Sequence, residues 1–432
     1  MAKRVRADLL LIVAMATLGL AGCDHYTCSN GLTFGASTCS NSSISNPGGN
    51  GTGGSATAAF VFAVDQGTGT GTGTIDGFTL DTSANTFQAT PSYTAPTIPD
   101  NNGGVGMVVA QKQFLYAGFG TVGEIFGWKI SSTGNLTAIT GSPFSAPFLG
   151  DFGVGVGEAN MITNPAGTML FASDTLQSEI FVFQIGSGGV LTPATPPSIT
   201  LPLGFQPMNL GTDGTGKYLY AVNGTFSTHT GSEVAAFVIG SSGTLTPVPG
   251  SPFAFPMWLV KGEPTGKFLI GTSGKTASKS GTDDLHLYVF SIAQSGASAG
   301  AITPVSGSPF PTAFSPFSIA VQSNTGGDLL YSFSINDTAT GFNAAEGYTI
   351  SSAGALTADT GSPFSGLTNG SWGQFDQSGA FLFDYGSFLD INTNTVVTQL
   401  SPFDVGTGGA LTQPITTLTL ATPGFWAVTD TP

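Results

Sequence analysis

Histidine is scarce in this chain: there are three, His25, His229 and His286, beside 25 Asp and Glu and three cysteines. An imidazole or carboxylate held near a second acid or base can activate water by general acid–base catalysis. The residues whose types suit that chemistry are Asp151, Glu158, His229 and His286. A second set looks like metal ligands. Glu124, Glu179, Glu233 and His286 each stand four residues before a recurring aromatic, Trp128, Phe183, Phe237 and Phe290. They can share an ion only if the fold brings their donors within about 2.6 Å of it. Asp283-Asp284 and Asn336-Asp337 are oxygen-rich but lack EF-hand spacing, and the Gly67–Thr74 Gly-Thr tract lacks the lysine and following helix of a phosphate loop. The tract reads as a low-complexity insertion, and no cofactor or metal motif is evident.

Whether any of these groups meet depends on the elements that carry them, and those elements repeat. A Gly-x-Leu-Thr type unit occurs at Gly134, Gly189, Gly243, Gly300, Gly354 and Gly409, with spacings of 55, 54, 57, 54 and 55 residues. Four copies lead into Gly-Ser-Pro-Phe, at Gly141, Gly250, Gly307 and Gly361, a turn signal after a strand. Upstream in each unit lies an apolar run, such as Phe114-Leu-Tyr-Ala or Tyr218-Leu-Tyr-Ala, and then a run ending on an aromatic six residues before the glycine. Short apolar runs between Gly, Pro, Asn and Thr predict strands, and no long segment has a helical period. A degenerate seventh unit begins at Phe60-Val-Phe-Ala, with Phe78 as its aromatic and Phe87 in the Leu position.

Each full unit starts with an inner strand, but the first starts directly at its second strand near Ala59. The missing strand stands at the far end, in Pro423–Asp430. The predicted fold is therefore all-β, a seven-bladed β-propeller over residues 57–432 closed by pairing of the N- and C-terminal strands in one blade, which removes an open sheet edge. A solenoid has a shorter repeat and would not split a unit between the two ends. In the propeller, third strands stand away from the axis, so the Glu124, Glu179, Glu233 and His286 row is read as a repeat-driven surface feature. Asp151 and Glu158 precede the third inner strand and His229 lies in the loop before Ser232, on one face. His286 shares that face farther out. The plain alternative is that all four are solvated loop residues.

The blade pattern, with Lys217-Tyr-Leu-Tyr-Ala, then Val234-Ala-Ala-Phe-Val-Ile, then Gly243-Thr-Leu-Thr-Pro, resembles the 6-phosphogluconolactonase-like propeller family. The resemblance covers nearly all of the chain after residue 56. It implies a lactone-handling site at the channel mouth, where members commonly carry Gly-Pro-Arg-His before an inner strand. Here the register-equivalent residues are Glu158-Ala159-Asn160, Pro207-Met208-Asn209, Pro316-Phe317-Ser318 and Pro423-Gly424-Phe425, without Arg or His in the motif. A bidentate guanidinium fork for phosphate or carboxylate is missing, and lysine does not replace it.

The N-terminus predicts location. Lys3, Arg4 and Arg6 precede an apolar run from Leu9 to Leu20, then Leu20-Ala21-Gly22-Cys23. This is the layout of a secretory signal, too short to span a bilayer, and it resembles a bacterial lipobox with Cys23 as the lipid attachment site. Residues 1–22 are read as signal peptide and 23–56 as a Ser/Gly/Asn-rich tether. Within the tether, Cys28 and Cys39 read as a disulfide loop in an oxidising compartment. A zinc site there would have only His25 nearby as a further ligand.

Only 8% of residues are charged, against roughly 25% in typical soluble domains. The net charge is −15, and without residues 1–22 the chain keeps 7 Lys, no Arg and 24 acids, a balance of −17. Such a surface repels a phosphate backbone, so nucleic acid is excluded as a partner. The expected protein is held on the extracytoplasmic side of the cell envelope by a lipid anchor. It takes a small-molecule, carbohydrate or protein ligand at the propeller mouth as a binding or scaffold module. The alternative is a lactone hydrolase using Glu158 or His229 as base.

Overall fold

Each repeat unit folds into a sheet because its apolar runs are short, rich in aromatic and β-branched residues, and broken by glycine and proline. The computed structural model describes residues 57–430 apart from 66–71, 83, 100–104, 120–122, 147–160, 226–229, 276–281, 325–326, 335–344, 365–371, 391–394, 414 and 421–425. Within the described residues there are seven antiparallel sheets of four or five strands and no α-helix. They form a seven-bladed β-propeller. Blade 4 runs outwards in sequence order through Pro207–Thr212, Tyr218–Thr225, Thr230–Ile239 and Leu245–Pro247. The innermost strands of blades 1 to 7 are Trp426–Asp430, Val105–Ala110, Met161–Thr163, Pro207–Thr212, Leu259–Gly262, Ser318–Asn324 and Trp372–Phe375. In blade 1, Trp426–Asp430 pairs antiparallel with Thr57–Asp65, Ala59 opposite Asp430 and Ala63 opposite Trp426.

Seven apolar clusters fill the seams between neighbouring blades. One joins Phe383, Leu400 and Ile415 of blade 7 to Ala59, Val61 and Leu80 of blade 1, so the last sheet packs on the first. This stacking covers both faces of the second strands, and Phe114–Phe119 and Met169–Asp174 are buried at every residue. That is why they read as unbroken apolar runs. The Gly-Thr tract differs from its sequence reading: Thr72, Gly73 and Thr74 are strand residues paired with Pro99, Ile98 and Thr97. Threonine's branched Cβ suits an extended backbone, so part of the tract extends a sheet.

The repeat motifs now acquire physical reasons. The Gly-x-Leu-Thr glycines have φ from +76° to +89°, and each sits hard against the blade before it. A Cβ on Gly134, Gly189, Gly300 or Gly354 would run into the ring of Phe60, Phe114, Tyr218 or Phe268, the aromatic that opens or lies within the preceding blade's second strand. At three seams a tyrosine two residues along clasps the same turn: Tyr116, Tyr220 and Tyr331 donate to the carbonyls of Gly189, Gly300 and Gly409 at 2.6, 3.1 and 2.6 Å. The serine of Gly-Ser-Pro-Phe is equally specific. The hydroxyls of Ser142, Ser251, Ser308 and Ser362 accept from Gly127, Ala236, Val289 and Gly347 N–H at 2.8 to 3.1 Å, tying the turn to the third strand.

A further repeat position, three residues beyond the Leu of Gly-x-Leu-Thr, plugs each seam. Ile139, Ala194, Val248 and Val305 lie beside the next blade's glycine. In blade 6 this plug is Asp359, 6% exposed, with Oδ1 accepting from Thr349 Oγ1 at 2.7 Å and Oδ2 buried without a hydrogen bond. Burial raises its carboxyl above the ordinary range, against the lowering effect of the Thr349 bond. The folded state therefore holds this proton more tightly than the unfolded chain. The ionised group's cost is full at neutral pH and fades as pH falls through the raised folded-state value. Asp359→Val is expected to stabilise the protein by about 1 kcal/mol at neutral pH, net of the lost Thr349 bond. The gain should shrink in urea titrations at about pH 4, and a gain independent of pH would remove ionisation as its cause.

Candidate functional site

The inner strands begin on the face that also carries the loops between second and third strands. On blade 4 that rim is built from Gln206, whose N–H donates to Asn223 Oδ1 at 2.8 Å, and from Asn223 Nδ2, which donates to Glu233 Oε1 at 3.1 Å. One step inside stands Asn209, wholly buried, its Nδ2 donating to the Trp258 carbonyl on blade 5 at 2.6 Å. Its Oδ1 is buried with no hydrogen-bond partner. Strand pairing puts Ser318 of blade 6 at the same register, opposite Phe333 as Asn209 is opposite Val222, and its buried hydroxyl also lacks a partner. Gln374 Oε1 on blade 7, two residues farther along, is a third such atom. Buried polar atoms are normally satisfied, so three oxygens on innermost strands call for donors from water or a ligand. The starts of the blade 5, 6 and 7 inner strands also carry an aromatic row: Trp258 to Phe317 at 5.9 Å and Phe317 to Trp372 at 5.0 Å, the latter edge-on.

Blade 5 holds a different constellation. His286 opens the third strand, and its Nδ1 lies 2.8 Å from Asp284 Oδ1. Asp284 Oδ2 accepts from Ser273 Oγ at 2.6 Å and from Tyr288 OH at 2.8 Å. Burial pushes the Asp284 carboxyl up, but the bonds from Ser273, His286 and Tyr288 outweigh it and hold the group below the ordinary range. Tyr288 is pushed up to about 12, by burial first and then by its bond to Asp284. An ionised Asp284 accepting from Nδ1–H leaves Nε2 as the basic nitrogen of a side chain that is 44% exposed. This is the geometry of a general base, a histidine oriented by a carboxylate.

Of the residues singled out in the sequence, His286 is placed, 44% exposed, on the outer half of blade 5. Asp151, Glu158, His229, Cys23, Cys28 and Cys39 lie outside the described residues, as do Asn336 and Asp337. The Glu124, Glu179, Glu233 and His286 row takes local partners: Thr200 Oγ1 donates to Glu179 at 2.9 Å, Asn223 to Glu233, and Asp284 holds His286. Among the described residues no three His, Cys, Asp or Glu side chains group to hold a metal. Asp283 and Asp284 instead brace the connector into blade 6, with Ser315 Oγ donating to Asp283 Oδ1 at 3.3 Å and to Lys275 O at 3.0 Å. The carboxylate partner of His286 escaped the sequence reading. Its signal was the spacing Asp284-x-His286-x-Tyr288, which places three side chains on one face of an extended segment.

Solved structures share this architecture. A Lactobacillus plantarum protein is 15% identical with a TM-score of 0.57, the match covering 86% of this chain and 99% of that one. A candidate 6-phosphogluconolactonase of Bacteroides uniformis is 15% identical at TM-score 0.58, with the same coverage. The periplasmic gluconolactonase of Pseudomonas aeruginosa is 13% identical at TM-score 0.54, covering 87% and 99%. The fold is that of the lactonase-type propellers. No protein-family model matches the sequence, and no curated protein matches it. At such identities the shared fold carries no activity with it, and the site must speak for itself.

Proposed function

We propose that this lactonase-type propeller is a lipid-anchored binding or scaffold module of the bacterial envelope, taking a neutral hydroxyl-bearing ligand at its mouth. The observation that carries the reading is the set of unpartnered oxygens on the innermost strands, Asn209 Oδ1, Ser318 Oγ and Gln374 Oε1. Acceptors welcome hydroxyl donors, whereas an anionic substrate needs cations. After Arg6 the chain has no arginine at all. Cys23 would supply the anchor, and the acidic balance after residue 22 disfavours anionic partners.

A second reading, lactone hydrolysis, is favoured by the Asp284–His286 pair. In that reaction water would attack the lactone carbonyl while His286 Nε2 takes its proton. Cleavage of the ring C–O bond would return the proton to the departing alkoxide, giving a hydroxy acid. The full chain in detergent, assayed on a panel of aldonolactones, separates the two. The binding reading expects saturable association without turnover, weakened about tenfold by Ser318→Ala, a loss of one hydrogen bond's worth of affinity. Turnover abolished by His286→Ala, Glu158→Gln or His229→Ala would replace it with the hydrolase.

A further inference from the structure

The seam between blades 1 and 2 is rich in hydroxyl side chains. At the plug position, which varies from seam to seam, Thr90 stands where Ile139, Ala194, Val248, Val305 and Asp359 stand elsewhere; its N–H makes the repeat-equivalent bond to Gly77 O at 3.0 Å, so the register is secure. Its hydroxyl lies 3.5 Å from that of Thr79, which occupies the register of Gln184 on blade 3 and Thr349 on blade 6. Two residues beyond Thr90, Ser92 has φ of +56°, at the register where Gly141, Gly250, Gly307 and Gly361 have φ of +86° to +92°. A side chain has been put where four other blades use glycine, at a cost in backbone strain, and strain held in place by a fold is a pointer to function.

Thr79 and Ser92 border a groove of about 410 Å³, within the roughly 300–1,000 Å³ of small-molecule pockets. Thr79, Gln88 and Ser92 line one wall and Thr133 and Asn135 the other, with the buried Phe60 beneath the surface. Asn135 Nδ2 reaches across to the Pro91 carbonyl at 3.2 Å and so ties the walls together. We propose that the groove is a second ligand site, for a neutral saccharide. Hydroxyl and amide side chains both donate and accept, as sugar hydroxyls do. Among the described residues no lysine or arginine lines it, and the one carboxylate there, Asp81, already accepts from Ala84 N–H and Gln88 Nε2. An anion would therefore meet no cationic side chain among them. This site does not depend on the reading of the mouth.

The test is calorimetric titration of the full chain in detergent with glucose, N-acetylglucosamine and cellobiose, with gluconate as the anionic control. At least one neutral sugar should bind saturably and gluconate should not. Thr90→Ile, which puts the bulkier plug of blade 2 behind Thr79, should weaken that binding at least tenfold. Ser92→Gly should weaken it while raising Tm, because the backbone strain is relieved, and Ser318→Ala should remove only the part of the isotherm that belongs to the mouth. Failure of all three sugars to bind overturns the proposal, as does binding that survives both Thr90→Ile and Ser92→Gly. Loss on Ser318→Ala alone would assign the sugar to the mouth and overturn the groove.

Discussion

Gly189→Ala is expected to lower the unfolding free energy by about 3 kcal/mol, of which about 1–2 comes from forcing a side chain into left-handed backbone and the rest from overpacking. Gly189 has φ of +82°, and a Cβ there would press on the Phe114 ring and on Ile139. Both are core residues of the seam between blades 2 and 3, so neither can swing into solvent. The turn is also held by the Tyr116 hydroxyl on the Gly189 carbonyl, and a shift to relieve the clash would stretch that bond. Gly204 is the matched control. Its φ is +87° but its Cβ would meet nothing within 4 Å, so Gly204→Ala should cost only the backbone part, about 1–2 kcal/mol. Chemical denaturation of the two variants isolates the packing contribution. Equal losses would mean that the repeat glycine serves its turn alone and that contact with Phe114 is incidental.

The same glycine shows why the fold was legible. A residue that must be glycine for two reasons recurs in six of the seven blades, so its spacing survives in the sequence where the strands between drift. The split unit at the two ends, Phe60-Val-Phe-Ala and Pro423–Asp430, was legible for a similar reason, since an apolar strand with no partner of its own needs one elsewhere. The plug was not legible. Thr90, Ile139, Ala194, Val248, Val305 and Asp359 share a place beside the next blade's glycine but no common chemistry, because the space they fill varies from seam to seam. Asp284 was hidden differently. In the sequence it sits beside Asp283 and resembles a calcium loop, and only the folded segment shows that it bonds His286, Ser273 and Tyr288.

Charge supplies the link between fold and site. A propeller is stabilised by apolar seams and turn chemistry, neither of which needs arginine, so the chain can lose every arginine after Arg6 and keep its blades. The mouth cannot lose them without changing what it binds. With Met208 and Phe317 at the Arg position of the motif and Asn209 and Ser318 at its His position, a guanidinium's five donors are gone and an amide and a hydroxyl stand where the imidazole would be. Under the proposed binding reading, ligand preference then moves from anions to hydroxyl donors while the architecture stays.

Trp258→Ala is expected to cost about 3–5 kcal/mol and to abolish ligand binding at the mouth together with that stability. Trp258 is wholly buried and lies in a cluster that takes Met208 from blade 4, Leu287 from blade 5 and Ile319 from blade 6. One indole thus sets the spacing of three inner strands. Its backbone is equally committed: the N–H donates to Thr272 O at 2.7 Å, and the carbonyl accepts Asn209 Nδ2 at 2.6 Å. Removing the ring leaves those bonds chemically intact but takes away the packing against Phe317 that fixes where the carbonyl points. Asn209 Oδ1 would then lose its aim along with its anchor. Trp258→Phe keeps an aromatic and should cost less, about 1–3 kcal/mol, with weaker but measurable binding. Thermal unfolding and ligand titration on both variants give two readings of one side chain. If Trp258→Ala destabilises as expected while the mouth binds its ligand unchanged, Asn209 is positioned by its own strand and the indole serves the fold alone.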